Sequence, residues 1–428
     1  MITTPHQPYK QPWIGNPSIE KIFILLPPFF SLAIIAAFPH LFQNNSNMPD
    51  AGWVILILLI DVAHVYSTLY RTYFDRRSWE KFKAPLLLIP LLGFIGGALL
   101  YWQDGLLFWR VLAYLAVFHF VRQQYGFMRI YSRTENIPRW ARRIDTVTIY
   151  YATLYPLIYW HLGEPRHFNW FVDDDFITIH SGTLQNSATL FNPATLFNPA
   201  TFFNPVTLLK AATALYYATL AIWTTREAIQ WIRTGHCNIP RIAILLGTIL
   251  SWYFGIVYFN GDMAFTLLNV VSHGIPYMAL IWLYGKRQIA NASKVRLYPD
   301  DSSISSDYTM TFAPPKKLST PTPVAPAPST PPTPKPGRLL RAVFSRYGIL
   351  LFLGIIFLLA YLEEGLWDLT LWKEHVNIFS VFHLFGSAHL HNDALIFLVP
   401  LLALPQLTHY IIDGFIWRRP RGENAHIP

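Results

Sequence analysis

Residues 51–75 read AGWVILILLIDVAHVYSTLYRTYFD: an unbroken apolar run to Ile60, then Asp61, His64, Thr68, Arg71 and Asp75 at three- and four-residue steps. Those steps return to one face of a helix. The stretch is therefore a helix that is apolar all round in its first half and carries a single polar stripe in its second. Its length matches the roughly 20 residues needed to cross the hydrocarbon of a bilayer. An ionisable side chain at mid-bilayer costs about 2.5–3.5 kcal/mol on insertion scales, so a stripe holding both a carboxylate and an imidazole marks a functional face.

The same signature recurs along the chain. Apolar windows of spanning length start at Ile19, Ala51, Ala84, Gly105, Ile144, Val206, Ile239, Ala264, Gly348 and His391, which predicts an all-α polytopic bundle of about ten transmembrane helices. Composition agrees: of 428 residues 53% are hydrophobic and only 13% charged, with a mean hydropathy of +0.29. A soluble chain carries about 25% charged residues, and half that density cannot cover a water-facing body of this size. The first window lacks the short apolar run and small-residue cleavage site of a signal peptide, so it is expected to remain as a helix, kinked at Pro27-Pro28.

Basic residues set the expected orientation, because they stay on the cytoplasmic side. Arg71, Arg76, Arg77, Lys81 and Lys83 follow the second window, Arg129, Arg133, Arg139, Arg142 and Arg143 the fourth, and Arg418, Arg419 and Arg421 close the chain. Of the 33 basic residues only Arg110, Arg166, Lys210 and Lys373 fall on the outer side, which places both termini in the cytoplasm of a bacterial inner membrane. The acidic pairs and triplets Asp173-Asp174-Asp175 and Glu363-Glu364 are read as outer-loop residues. Topology thus accounts for the net charge of +9, and a nucleic-acid partner has no support.

Two segments differ in composition. Residues 288–337 hold eleven of the 33 prolines, densest in STPTPVAPAPSTPPTPKPG, and read as a disordered cytoplasmic linker between a bundle of eight helices (1–287) and two final helices with a basic tail (338–428). Residues 188–205 repeat ATLFNP, ATLFNP, ATFFNP, with a proline every six residues, and read as an expanded outer loop.

Four windows each carry one histidine on a polar face: His64 beside Asp61, His119 beside Arg122 and Gln123 in FHFVRQQYGF, His273 in NVVSHGIPYM, and His409 four residues before Asp413 in LTHYIIDGFIW. All four windows run from outside to inside. At about 1.5 Å per residue, His64 lies about 9 Å from the inner end at Tyr70, with His409 at a similar height and His119 and His273 somewhat deeper. The four can meet in one layer of the inner leaflet. Neutral imidazoles with nearby carboxylates suit iron, zinc or copper. The single cysteine, Cys237, excludes disulfides and thiolate metal sites. The dense HxxxH and HxxHH boxes of membrane di-iron desaturases are absent. The expected site is a mononuclear one with His64, His119, His273 and His409 as ligands. Asp61 and Asp413 orient them or complete the shell, and Arg122 and Gln123 hold a polar substrate end or oxygen. A second, outer group comprises His375, His383, His389 and His391, with Asp393 nearby.

The phrases AHVYSTLYRTYFD, FHFVRQQYGF and THYIIDGFIWR resemble those of a group of bacterial polytopic membrane proteins, a resemblance that covers under a tenth of the chain and implies no activity. In donor set alone, the expected site loosely resembles that of the membrane iron dioxygenases that cleave carotenoids. The residues themselves point to a metal-dependent oxidoreductase or hydroxylase acting on a lipid or isoprenoid that enters from the bilayer. A proton-coupled transporter, and a structural protein whose polar layer only holds helices together, are the alternatives.

The orientation is testable by reporter fusions. A reporter within residues 319–335 is expected to read as cytoplasmic and one within 188–203 as external; finding both on one side would overturn the assignment.

Overall fold

The structure, a computed structural model, describes residues 10–43, 48–163, 168–177, 204–259, 261–297, 336–384 and 391–417. Within these every long element is a helix. They are α1 (Pro17–Leu25 and Pro27–Ala37), α2 (Asp50–Arg71), α3 (Arg76–Gln103), α4 (Gly105–Tyr131), α5 (Arg139–Leu162), α6 (Pro205–Thr234), α7 (Ile239–Tyr258), α8 (Asp262–Ala292, continuing to Leu297), α9 (Ile349–Trp372) and α10 (Asp393–Leu402 and Leu404–Ile416). Seven are long and apolar enough to cross a membrane, and nine are when each bent pair counts as one span. The remaining one, α5, opens with Arg139, Arg142, Arg143 and Asp145, which lowers its hydropathy without shortening it.

Local chemistry explains where the helices begin and bend. Asp75, Asp104, Asn204 and Asn238 cap α3, α4, α6 and α7 by accepting from backbone N–H groups of the first turn. The expected kink at Pro27-Pro28 is a bend of 48° in α1, and α10 bends by 43° at Ala403, ahead of Pro405. Gly235 ends α6 with φ of 67°, a left-handed turn that favours glycine.

Two sequence readings are corrected by these boundaries. Glu363 and Glu364 are not in an outer loop; they lie inside α9 and are buried, because the helix runs on to Trp372. Gln288, read as the first residue of the linker, is still helical and buried, donating to Asp75 Oδ2 at 3.0 Å. Residues 298–335 of that linker, and 188–203 of the hexapeptide repeat, lie outside the described residues.

α8 is the central helix, with most of its side chains buried between α1, α2, α4 and α7. α3 and α10 pack together on one side, α5 and α6 on another, and α9 closes against α2. At the basic end of α5, α6 and α7 two arginines and three carboxylates form an ion-pair network. Arg241 is fully buried and donates to Glu135 (3.2 Å), Asp145 (2.8 Å) and Glu227 (2.7 and 2.9 Å), while Arg226 pairs with Asp145 and with Glu227 at 2.6 Å.

Removing Arg241 would leave Glu135 with no cation and Asp145 and Glu227 with Arg226 alone, and breaking a buried pair costs about 3–5 kcal/mol. Arg241→Met is expected to lower unfolding stability by about that amount, read by denaturant titration of the purified protein. A loss below about 1 kcal/mol would show that the network is not what joins these three helices.

Candidate metal centre

α2, α4, α8 and α10 bring His64, His119, His273 and His409 together. All four are at most 3% exposed, and one ligand nitrogen from each lies within 4.8 Å of the others. The rings form a closed circuit of edge-to-face contacts. Centroids are 4.7 Å apart from His64 to His273, 4.9 Å from His273 to His119, 4.4 Å from His119 to His409 and 5.1 Å from His409 to His64. Phe120 stacks on His273 at 3.6 Å and 7°, which fixes that ring's plane.

The close approach of α2 and α8 depends on Gly274. A Cβ there would sit 2.8 Å from Ile60 Cγ2 and 2.9 Å from the Ile60 carbonyl oxygen, closer than any side chain tolerates. That same carbonyl lies 3.2 Å from His64 Nδ1. A carbonyl only accepts, so Nδ1 carries the proton and Nε2 presents its lone pair inward. His273 Nε2 is 3.1 Å from it. Two nitrogens bound tetrahedrally at 2.0–2.1 Å would be about 3.3–3.4 Å apart, so this pair already has nearly the spacing of two ligands to one ion.

A second chain of hydrogen bonds sets His409. Tyr277 OH donates to Asp413 Oδ1 at 2.6 Å. With that proton committed, Thr68 donates to the Tyr277 oxygen at 2.9 Å, and Thr68 Oγ1, 2.7 Å from His409 Nδ1, accepts the imidazole proton. The relay leaves His409 Nε2 as a lone pair, and that atom is buried without a partner. His119 Nε2 is likewise buried and unpartnered, 4.0 Å from Asp413 Oδ2. Orphaned buried nitrogens are rare in folded proteins. Orientation of a ligand histidine through its outer nitrogen is the usual arrangement at a metal. The longest separation, 4.8 Å, would have to close by roughly 1.4 Å for a tetrahedral site.

The flanking residues divide. Asp413 lies against the circuit and acts through Tyr277 and Thr68, with its own oxygens 3.9 Å from His409 Nδ1 and 4.0 Å from His119 Nε2. Asp61 stands 3.8 Å from His64 Nδ1, behind the Ile60 carbonyl that takes the proton, with its side chain 31% exposed. Arg122 does not face the centre. It is exposed on the outside of α4, bonded to Tyr150 OH and lying 5.1 Å over the Tyr125 ring, because a guanidinium reaches phenol oxygens and ring faces at a helix surface more cheaply than it enters an imidazole cluster. Gln123 donates to the His273 backbone carbonyl at 2.8 Å, bracing α4 against α8, and its Oε1 is buried without a partner. The outer histidines do not converge. His375 packs on Trp53 with Nδ1 3.7 Å from Asp50, His383 bonds Asp368, His391 precedes α10, and His389 lies outside the described residues. Among the described residues His64, His119, His273 and His409 are the one group with the spacing of a metal site.

Three contributors escaped the sequence reading. Phe120 and Tyr410 were not singled out from sequence, yet Phe120 stacks on His273 and Tyr410 sits 5.2 Å from His119 and 5.8 Å from His409. Glu363 accepts from Tyr66 OH at 2.7 Å, and a glutamate pair within the apolar run of α9 was the available signal.

Comparison of the chain with protein-family models, with curated proteins and with solved structures finds no match. The chemistry therefore rests on the geometry. Four buried imidazoles this close could hold a metal ion.

Tyr277→Phe removes the phenol that joins Thr68 to Asp413 and so frees His409 Nδ1 from its fixed tautomer. Loss of such an outer partner typically lowers metal affinity about 10–100-fold. That weakening, with full loading still reached at high metal, is expected in a Co2+ titration of the purified variant; an unchanged affinity would remove the relay from the design of the site.

Proposed function

We propose that the protein is a membrane-embedded metalloprotein in which His64, His119, His273 and His409 bind one ion of iron, zinc or copper. With such an ion bound, the centre would oxidise or hydroxylate an apolar lipid or isoprenoid that reaches it from the bilayer, with dioxygen as the oxidant and, for hydroxylation, a two-electron donor that reduces the second oxygen atom to water. The observation that carries this reading is the inward set of buried imidazole nitrogens, with His64 and His409 held in the tautomer that presents Nε2 by the Ile60 carbonyl and by Thr68. A structural histidine needs no such arrangement, since one interhelical hydrogen bond suffices.

The donor set narrows the chemistry. Neutral nitrogens suit iron and copper as well as zinc, but zinc has no redox chemistry, so the oxidative reaction requires iron or copper. Asp413, beside His119 and His409, is the carboxylate placed to take or return a proton during turnover. The apolar flanks of the four helices suit a substrate that arrives from lipid and not from water.

In this reading all ten helices cross a bacterial cytoplasmic membrane, with both termini on the cytoplasmic side. The clusters Arg76-Arg77 and Arg142-Arg143 support it, lying at the same ends of the helices as the bend of α2 into α3 and of α4 into α5. A proton-coupled transporter is the second reading. The bends in α1 and α10 favour it, since broken helices form transporter sites.

Metal content separates the two. The protein purified in detergent after growth with iron, zinc and copper is expected to carry about one ion per chain by elemental analysis, in keeping with a mononuclear site. His64→Ala with His409→Ala should abolish that ion and leave the helical circular-dichroism signal intact. Protein that binds no ion, or binds it equally well in the double variant, would overturn the metal centre and leave the transporter reading standing.

A further inference from the structure

Arg122 turns away from the histidine centre to the outer flank of α4, where hydrogen-bond donors collect without acceptors. One guanidinium N–H is given to Tyr150 OH of α5, and the guanidinium carbon lies 5.1 Å from the centre of the Tyr125 ring. Because the phenol oxygen accepts that bond, its own O–H is left to be donated. Most of the five guanidinium donors are left as well. Arg76, Arg226 and Arg241 each pair with a carboxylate, whereas Arg122 has no carboxylate partner among the described residues.

The position makes these open donors costly. Arg122 lies nine residues before the end of α4 at Tyr131, about 13 Å along the axis. Its guanidinium turns toward that end to reach Tyr125, which is still about 9 Å short of it. An exposed cation at that depth in a bilayer lacks water to solvate it, and each unmade hydrogen bond adds to the cost. A group outside the chain that carries negative charge and accepts hydrogen bonds removes both penalties. There is room for one: a Cβ on Gly126, one turn below Arg122, would meet no atom within 4 Å.

The surrounding surface is graded as an amphiphile is. Arg129 and Arg143 are exposed, each seven residues from Arg122 or Tyr150, and so lie on the same helix faces two turns nearer the basic end. In the other direction, one turn beyond Arg122 and Tyr150, the exposed side chains are Phe118 and Leu154. The flank closes farther along, where Tyr114 OH meets His161 Nε2 at 2.7 Å. We infer that Arg122 and the Tyr150 hydroxyl form a site for the phosphate of an anionic phospholipid of the cytoplasmic leaflet, with its acyl chains along Phe118 and Leu154 and with Arg129 and Arg143 adding positive charge around the headgroup. A guanidinium suits phosphate because its fork of N–H groups matches two phosphate oxygens. The apolar side chains beside the cation favour a lipid over a soluble anion, and the outward aim of Arg122 separates this lipid from a substrate of the centre. The inference rests on the bilayer placement in the reading above and not on the metal.

The test uses the full-length protein in a neutral detergent, with native mass spectrometry reading the first lipid retained per chain. Dioleoyl phosphatidylglycerol is expected to bind more tightly than dioleoyl phosphatidylcholine, which has the same chains and no net charge. Arg122→Gln should weaken phosphatidylglycerol binding about fivefold, the effect of one arginine near an anionic headgroup. Gly126→Leu, which fills the open space and changes no charge, should weaken it too. Arg76→Gln removes a cation already paired with Glu80 at 2.9 Å and should leave binding unchanged. Equal affinity of the native protein for the two lipids overturns the site, and this arm needs no variant to fold. An equal loss in Arg76→Gln also overturns it, by reducing the effect to general surface charge. Inorganic phosphate or oleate that displaces the lipid at a lower concentration than phosphatidylglycerol gives the flank to a soluble anion or a fatty acid and rules out the phospholipid. A chain released from its membrane by alkaline carbonate overturns the bilayer placement and the site together, while an integral chain without the lipid preference overturns the site alone.

Discussion

His64 and His273 meet through their Nε2 atoms at 3.1 Å, and their helices come this close only because Gly274 places no side chain against Ile60. The rest of the centre builds on that contact. The Ile60 carbonyl, brought within 3.2 Å of His64 Nδ1, accepts the imidazole proton's hydrogen bond and so keeps that proton on the outer nitrogen, leaving the inner one a lone pair. Phe120 of α4 then lies flat on His273, which brings His119 of the same helix into the ring of imidazoles. α10 completes the circuit through His409, whose position is set by Thr68 on α2 and by Tyr277 on α8.

The bundle handles buried polarity in two ways, and the contrast separates structure from function. Around Arg241 three carboxylates share two cations: Arg241 serves Glu135, Asp145 and Glu227, and Arg226 pairs with Asp145 and Glu227. Such a network joins α5, α6 and α7 through ion pairs. At the histidine centre Nδ1 of His64 and of His409 is hydrogen-bonded, while Nε2 of His119 and of His409 and Nδ1 of His273 are buried without partners. A fold that buries nitrogens without partners forgoes stabilisation, because each unmade hydrogen bond costs about 1–3 kcal/mol. A bound cation would restore it.

Two of the helices that carry the centre, α2 and α10, also meet α9 at Glu363, which accepts from Tyr66 and Gln406. α2 contributes His64, Thr68 and Tyr66 within five residues, so one helix carries a candidate ligand, the hydroxyl that orients His409 and the phenol that reaches Glu363. α10 does the same from the other side, with His409 and Asp413 toward the centre and Gln406 toward Glu363.

The helical class, the kink at Pro27-Pro28 and the four histidines with Asp413 were legible in the sequence, because bilayer thickness fixes helix length and the cost of a polar side chain in hydrocarbon singles out the residues that bear it. Depth along each helix follows from residue count alone, which is why four rings from distant segments could be assigned to one layer. Direction around the helix axis does not follow so simply. Arg122 lies one turn from His119 and yet turns outward to Tyr150 and Tyr125, since a long cationic side chain chooses among partners that only neighbouring helices supply. Glu363 and Glu364 read as outer-loop residues, but α9 continues to Trp372, buries both and sets Glu363 against Tyr66 and Gln406. Sequence determined which side chains had to be buried and at what depth. Tertiary structure decided which of their atoms were satisfied and which were left open, because hydrogen bonding at a fixed depth depends on the rotation and spacing of helices that are far apart in the chain.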